Sequence, residues 1–181
     1  FFLPVIIISL LGFFSVSFHA YQKKQYSYDD FEKPNYCNQC HHLFFQQWDQ
    51  AMMSDAYTHK WDEIEYFELA VAHTENDPDI PAAVHEGCNG CHTPMAFLTG
   101  DIPPAKPSEN SRANESVACD VCHNITGFEG DVPYNHNYII EPGGAKITAR
   151  KGKTQSPNHE IDTTGFFRKA EFCGTCHNEQ S

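Results

Sequence analysis

One five-residue pattern, Cys-x-x-Cys-His, occurs four times in the 181 residues of the chain and uses every cysteine in it. The cysteines are Cys37, Cys40, Cys88, Cys91, Cys119, Cys122, Cys173 and Cys176, and the histidines that complete the patterns are His41, His92, His123 and His177. Two thiols three positions apart can each bond one vinyl group of a haem, and the next residue can then offer its imidazole to the iron. The pattern therefore predicts four covalent haem c groups, with the cysteines as attachment points and the four histidines as proximal iron ligands.

Other uses of paired cysteines explain less of the pattern. Eight thiols could fill two four-thiolate zinc sites, or they could form disulfides or a thioredoxin-like redox pair. None of these requires a histidine directly after each second cysteine, so haem attachment is the better interpretation.

The composition indicates a chain that relies on its haems for a core. The chain has 14 Phe, 8 Tyr and 2 Trp residues, which suit packing against porphyrin faces. The formal net charge is −12, and ionised haem propionates would add to it. Such a surface disfavours nucleic acid and favours partners with basic docking patches, although plain solubility would explain the charge equally well.

The first eighteen residues carry no charge, which is typical of a signal-peptide core or of one membrane helix. The interpretation adopted from the sequence is an uncleaved N-terminal membrane anchor over residues 1–20, a linker over residues 21–36 and a tetrahaem cytochrome c domain over residues 37–181. Covalent haem attachment takes place outside the cytoplasmic membrane. The predicted location is therefore the cytoplasmic membrane, with the haem domain on the periplasmic or extracellular side.

Helix-forming composition is most evident between the first and second motifs. Residues 43–76 contain neither Gly nor Pro, which predicts one long or kinked helix over residues 43–73 that is ended by Asp77-Pro78. A short helix over residues 166–172 is expected to lead into the fourth motif.

Six further histidines could supply distal iron ligands, and this number is enough for two imidazoles at every iron. Five of them are predicted as distal ligands: His42, His73, His85, His136 and His159. The sixth, His59, is a weaker candidate. Any one of them could instead be an ordinary surface histidine.

The four motifs and the segments that flank them carry a family resemblance. The resembling residues are 37–41, 47–48, 53–54, 88–94, 117–123, 156–159 and 171–178. In these stretches the chain resembles the small tetrahaem c-type cytochromes related to the electron acceptor of hydroxylamine oxidoreductase and to tetrahaem nanowire cytochromes. The resemblance implies a mainly α, loop-rich multihaem cytochrome c fold organised around four covalent haems, here with one N-terminal transmembrane helix, and a distal role for His159.

The predicted function is that of a membrane-anchored electron carrier, not an enzyme, which passes electrons through closely spaced bis-histidine haems. Its expected partners are other redox proteins or a membrane redox complex, with no nucleic acid. Three alternatives remain open: a self-associating extracellular filament, a multihaem reductase with one open haem, and an anchored tetrahaem quinol dehydrogenase. A Cys-x-x-Cys-Lys motif, often found at the open haem of a reductase, does not occur in the sequence.

Overall fold

The fold is built from short helices, with two small sheets in its C-terminal half. The structure is a computed structural model, and it describes residues 26–77, 79, 83–151, 155–163 and 165–180. The α-helices are α1 (Pro34–Asn38), α2 (His42–Asp49), α3 (Lys60–Glu63), α4 (Ala72–Asn76), α5 (Ala83–His92), α6 (Pro94–Thr99), α7 (Cys119–Cys122) and α8 (Ala170–His177). A π-helix, Ile64–Val71, joins α3 to α4, and 3₁₀ turns occupy Tyr28–Asp30, Pro107–Glu109, Arg112–Glu115 and Phe166–Arg168.

The two sheets have two strands each. Strands β1 (Ile125–Phe128) and β2 (Tyr138–Ile140) pair antiparallel, with a register shift between Ile125 and Gly127. Strands β3 (Lys146–Ile147) and β4 (Ile161–Asp162) pair in parallel. Both sheets follow the third Cys-x-x-Cys-His motif and precede the fourth, so they connect the last two motifs.

The predicted transmembrane helix requires a correction to the fold class. In the described part of the chain, no helix combines the length and the apolar character that a membrane crossing needs. The described α-helices have between 4 and 10 residues, whereas a span takes about 20 apolar residues. The segment to which the anchor was assigned, residues 1–20, lies outside the described residues.

The single helix predicted over residues 43–73 is also wrong, because residues 50–59 form turns between α2 and α3. Tertiary hydrogen bonds to Val117 stabilise this interruption of the helix. The Trp48 indole donates to the Val117 carbonyl at 2.8 Å, and the Val117 amide donates to the Met53 carbonyl at 3.0 Å. Beyond the break, helical structure continues to Asn76 and ends at Asp77.

The core consists of two clusters that meet at α6. Met95 and Ala96, neighbours on this helix, are both fully buried, and each belongs to a different cluster. Pro94 occupies the first turn of α6 and Gly100 ends it in the left-handed conformation, which is the usual arrangement of these residues at helix ends. Phe31, from the segment predicted as a linker, is only 3% exposed and packs in the same cluster as Met95.

Candidate haem-binding sites

The local helix geometry places the chemical groups of each motif on one side. Residues i, i+3 and i+4 share a helix face, and this is the spacing of the two cysteines and the histidine. The second motif ends α5 and the fourth ends α8, while the third forms α7 with His123 as its C-terminal cap. The first motif spans the junction between α1 and α2. Each motif can thus present two thiols and an imidazole towards the same space.

Thiols from different motifs lie against one another. The interaction with Cys119, and next to it burial, raises the pKa of Cys37, whereas the interaction with Cys37 lowers the pKa of Cys119 although burial opposes this. The packing of α1 against α7 produces this first contact. Cys91 likewise contacts Cys176, and its Sγ lies 3.9 Å from the Cys176 carbonyl oxygen. The first motif therefore adjoins the third, and the second adjoins the fourth.

The third and fourth motifs are also close. Burial raises the pKa of Cys122 to about 12, with smaller contributions from the neighbouring thiols of Cys176 and Cys173. All eight cysteines lie in the described part of the chain and none forms a disulfide. Among the described residues, no cluster of three His, Cys, Asp or Glu side chains is arranged to hold a metal ion.

Two proximal histidines have their tautomer fixed by backbone carbonyls. His92 Nδ1 lies 2.7 Å from the Ala56 carbonyl oxygen, and His123 Nδ1 lies 2.6 Å from that of Ile147. Because a carbonyl can only accept, each Nδ1 carries the hydrogen, and the lone pair is left on Nε2. This is the arrangement that metal-binding histidines use to orient the ring and strengthen the ligand. Both side chains are therefore prepared to bind iron through Nε2.

The ring of His123 is held more firmly than that of His92. The Ile147 amide also donates to the His123 carbonyl at 2.8 Å, so β3 makes two hydrogen bonds with this residue. Phe167 stacks on the imidazole, with ring centroids 5.0 Å apart. Burial lowers the pKa of His123, which favours the neutral imidazole that iron requires.

The first motif lies beside one of the predicted distal ligands. The ring centroids of His41 and His159 are 6.3 Å apart, and Asn158 Nδ2 is 3.7 Å from Cys40 Sγ. With metal–nitrogen bonds of about 2 Å, two imidazoles on opposite sides of one iron have centroids roughly 6 Å apart. His159 donates from Nδ1 to the Glu160 carbonyl at 3.0 Å, so its Nε2 is the nitrogen left to bind iron. A surface cavity of about 660 Å³ is lined by residues 155–161.

Most of the remaining predicted ligands lie on the exposed surface. His42 is exposed beside the first motif, with Nδ1 3.2 Å from Asn38 Oδ1. His73 lies on the exposed surface of α4, and His177 is exposed at the end of α8. The side chain of His85 lies outside the described part of α5.

His136 lies between the second and fourth motifs. Its amide donates to the Thr175 carbonyl at 2.7 Å, and its ring packs against Phe97 in a tilted arrangement with centroids 4.7 Å apart. The ring also covers Gly90, where an added Cβ would lie 2.3 Å from His136 Cγ. Only a glycine allows this approach, so the predicted ligand is integrated into the packing of α5.

Sequence reasoning missed the groups that orient the proximal imidazoles. Two of them, at Ala56 and Ile147, are backbone carbonyls, which carry no sequence signature. The third is the Asp62 carboxylate, whose Oδ1 lies 3.1 Å from His92 Nδ1. Asp62 is thirty positions from His92 in an ordinary charged helix turn, and no local pattern distinguishes it.

Four Cys-x-x-Cys-His motifs, three of them on helices and two with an imidazole whose Nδ1 hydrogen is bonded to a backbone carbonyl, fit covalently bound haem, the cofactor of c-type cytochromes. In agreement with this, residues 36–124, just under half of the chain, match the family described as cytochrome c554 and c-prime. The matched region contains the first three motifs. No curated protein and no solved structure gave a significant match to the chain. The family match supports a c-type cytochrome, an electron carrier with covalent haem c, whereas four haems and the particular tetrahaem relatives stay predictions.

Proposed function

We propose that the chain is a tetrahaem electron carrier whose motifs hold their haems side by side. The observation that carries this proposal is the packing of motifs against one another: α1, which holds Cys37, packs on α7, which holds Cys119, and Cys91 Sγ lies 3.9 Å from the Cys176 carbonyl oxygen. When bound, haem supplies a one-electron couple at its iron. Attachment points in contact bring neighbouring couples close enough to exchange electrons, which is the arrangement a carrier needs.

The same contacts support an order of transfer. The first motif adjoins the third through Cys37 and Cys119, and the third adjoins the fourth through Cys122 and Cys176. The fourth then adjoins the second through Cys176 and Cys91. The proposed order is first, third, fourth and second, in either direction, so the two ends of the path lie at the first and second motifs.

The axial ligands proposed for the first haem are His41 and His159. Their ring separation and the fixed tautomer of His159 support this pairing. Two imidazoles on one iron leave no open coordination position and keep the potential below that of His/Met ligation. We extend bis-histidine ligation to the other three haems as the simplest arrangement for a carrier.

The location and partners follow from chemistry rather than from geometry. Because haem is attached covalently outside the cytoplasm, we place the working protein there. The net charge of −12 would attract redox proteins that carry a basic docking patch, and this attraction would weaken as salt is added.

The test begins with the reduced wild-type protein and carbon monoxide. A pyridine haemochrome assay should give four haems per chain, and carbon monoxide should leave the Soret band unchanged. In His159→Ala about a quarter of the Soret absorbance should respond to carbon monoxide, because one of four irons loses a ligand. His59→Ala is the matched control, because His59 Nδ1 accepts the Trp61 amide at 3.4 Å as a helix cap. This variant should bind no carbon monoxide.

Two results would contradict the proposal. A count of fewer than four haems in the wild-type protein would contradict the proposal of a tetrahaem carrier. A wild-type response in about a quarter of the Soret band would reveal one open iron and favour the reductase alternative.

A further inference from the structure

The surroundings of His92 differ from those of the other proximal histidines in one respect: a carboxylate faces the nitrogen that does not bind iron. Asp62 Oδ1 lies 3.1 Å from His92 Nδ1. The Ala56 carbonyl oxygen is 2.7 Å from the same nitrogen. The Nδ1 hydrogen is donated to the Ala56 carbonyl, and the Asp62 carboxylate faces the same nitrogen within ion-pair distance.

The carboxylate lies at the start of a helix, beside a second histidine. Asp62 belongs to the first turn of α3, and its other oxygen, Oδ2, lies 3.4 Å from His59 Nδ1. Its side chain is 23% exposed, so water screens it only in part. Asp62 and His92 line a cavity of about 70 Å³ together with Glu65 and Cys88. The acidic side chain therefore belongs to the wall of the second haem site.

A carboxylate beside the outer nitrogen of a ligating imidazole favours positive charge on the ring and so increases the basicity of that imidazole. A more basic imidazole stabilises oxidised iron more than reduced iron. Within the described residues, no carboxylate faces His123 Nδ1 in this way: this nitrogen is bonded to the Ile147 carbonyl, and the nearby Asp120 is ion-paired with Lys146 at 2.7 Å. The two sites should therefore differ in potential even though both motifs have the same ligands.

We propose that Asp62 is a positioning residue that lowers the reduction potential of the haem held by Cys88, Cys91 and His92, because its carboxylate lies beside Nδ1 of His92. The couple concerned is a one-electron exchange between this iron and a neighbouring haem or a redox partner. The second motif then lies at the low-potential end of the path, where electrons would enter. This inference rests on the proposed function, because it requires iron at His92.

The experiment compares Asp62→Asn with the wild-type holoprotein in a spectroscopic redox titration. One of the four one-electron steps should rise by about 59 mV, which corresponds to a roughly tenfold loss of preference for oxidised iron. One low-spin ferric EPR signal should change with it, and the other three should not. Asp62→Glu, which restores a carboxylate, should return that step towards its wild-type position.

Asp55→Asn is the matched control for removal of a negative charge. Asp55 bonds to the Thr58 hydroxyl at an exposed position and precedes the same helix. Removal of this negative charge should change the potentials of all four reduction steps by little and leave the EPR signals unchanged. If Asp62→Asn does not assemble, Asp62→Ser makes the same comparison with a smaller neutral side chain.

The outcomes separate this inference from the function on which it rests. Failure of the tetrahaem proposal would appear in the wild-type protein as fewer than four haems. With four haems present, unchanged potentials in Asp62→Asn would overturn the inference. An equal rise in Asp55→Asn would overturn it as well, because the effect would then be one of overall charge.

Discussion

The second and third motifs have the same ligands but are anchored in the fold by different chemistry. In the second motif the residue after the first cysteine is Asn89, which is 1% exposed and donates to the Tyr66 hydroxyl at 2.6 Å. In the third motif the same position is Asp120, which is 2% exposed, ion-paired with Lys146, and accepts the Glu32 amide at 2.9 Å. One motif is fixed by a neutral hydrogen bond and the other by a buried charge pair.

The next position shows a similar contrast. Gly90 leaves room for the ring of His136, whereas Val121 is 1% exposed and packs in the apolar core. The two variable positions of Cys-x-x-Cys-His are therefore not spacers in this protein. In the second and third motifs they join the motif to the rest of the chain, while the cysteines and the histidine remain available for haem.

The largest expected effect concerns the charge pair at the third motif. Asp120→Asn keeps the size of the side chain but leaves Lys146, which is 18% exposed, without its carboxylate. Removing one member of a buried ion pair costs about 3 kcal/mol. The free energy of unfolding, measured by urea denaturation of the holoprotein with circular dichroism, should fall by that amount.

A double-variant cycle tests the reason for this loss. Lys146→Met removes the other charge, and the double variant Asp120→Asn/Lys146→Met leaves neither charge unpaired. Its loss of stability should therefore be smaller than the sum of the two single losses. Additive losses would mean that the ion pair does not anchor the third motif.

The same two motifs show which features could be predicted from the sequence and which depend on the tertiary fold. The end of the helix at Asp77 was predictable from a local pattern, because helix termination depends on neighbouring residues. The assignment of the motif cysteines and histidines to haem rests on a local pattern of the same kind and stays a prediction. The break between α2 and α3 could not be predicted, since it depends on Val117, which contacts Trp48 and Met53 from more than sixty residues away. Asp120 and Asn89 occupy positions that the motif leaves free, so their burial follows only from the tertiary fold.

The second largest effect concerns the glycine of the second motif. Gly90→Ala would place a Cβ 2.3 Å from the ring of His136, and such overpacking costs about 2 kcal/mol. Gly87 is in the same helix, and the nearest atom to its added Cβ is 3.9 Å away. Gly87→Ala should instead stabilise the protein by up to about 1 kcal/mol, because alanine is the better helix former.

Opposite signs in the two alanine variants, measured by thermal unfolding of the holoprotein, would support close packing of His136 on the second motif. A gain of stability in both would show that His136 does not occupy this position. The third motif offers the reverse comparison, since Val121→Gly should lose stability through a cavity in the core.

The smallest effect concerns the hydrogen bond that anchors Asn89. Tyr66→Phe removes the hydroxyl that accepts the Asn89 amide hydrogen, and the expected loss in the free energy of unfolding is about 1 kcal/mol. Burial raises the pKa of Tyr66 to about 12, so the hydroxyl stays protonated and the loss should be constant throughout the neutral pH range. Tyr36 is 52% exposed, and Tyr36→Phe should change the stability by less than about 0.5 kcal/mol. Equal effects in the two variants would mean that the hydrogen bond between Asn89 and Tyr66 contributes nothing measurable to the stability of the protein.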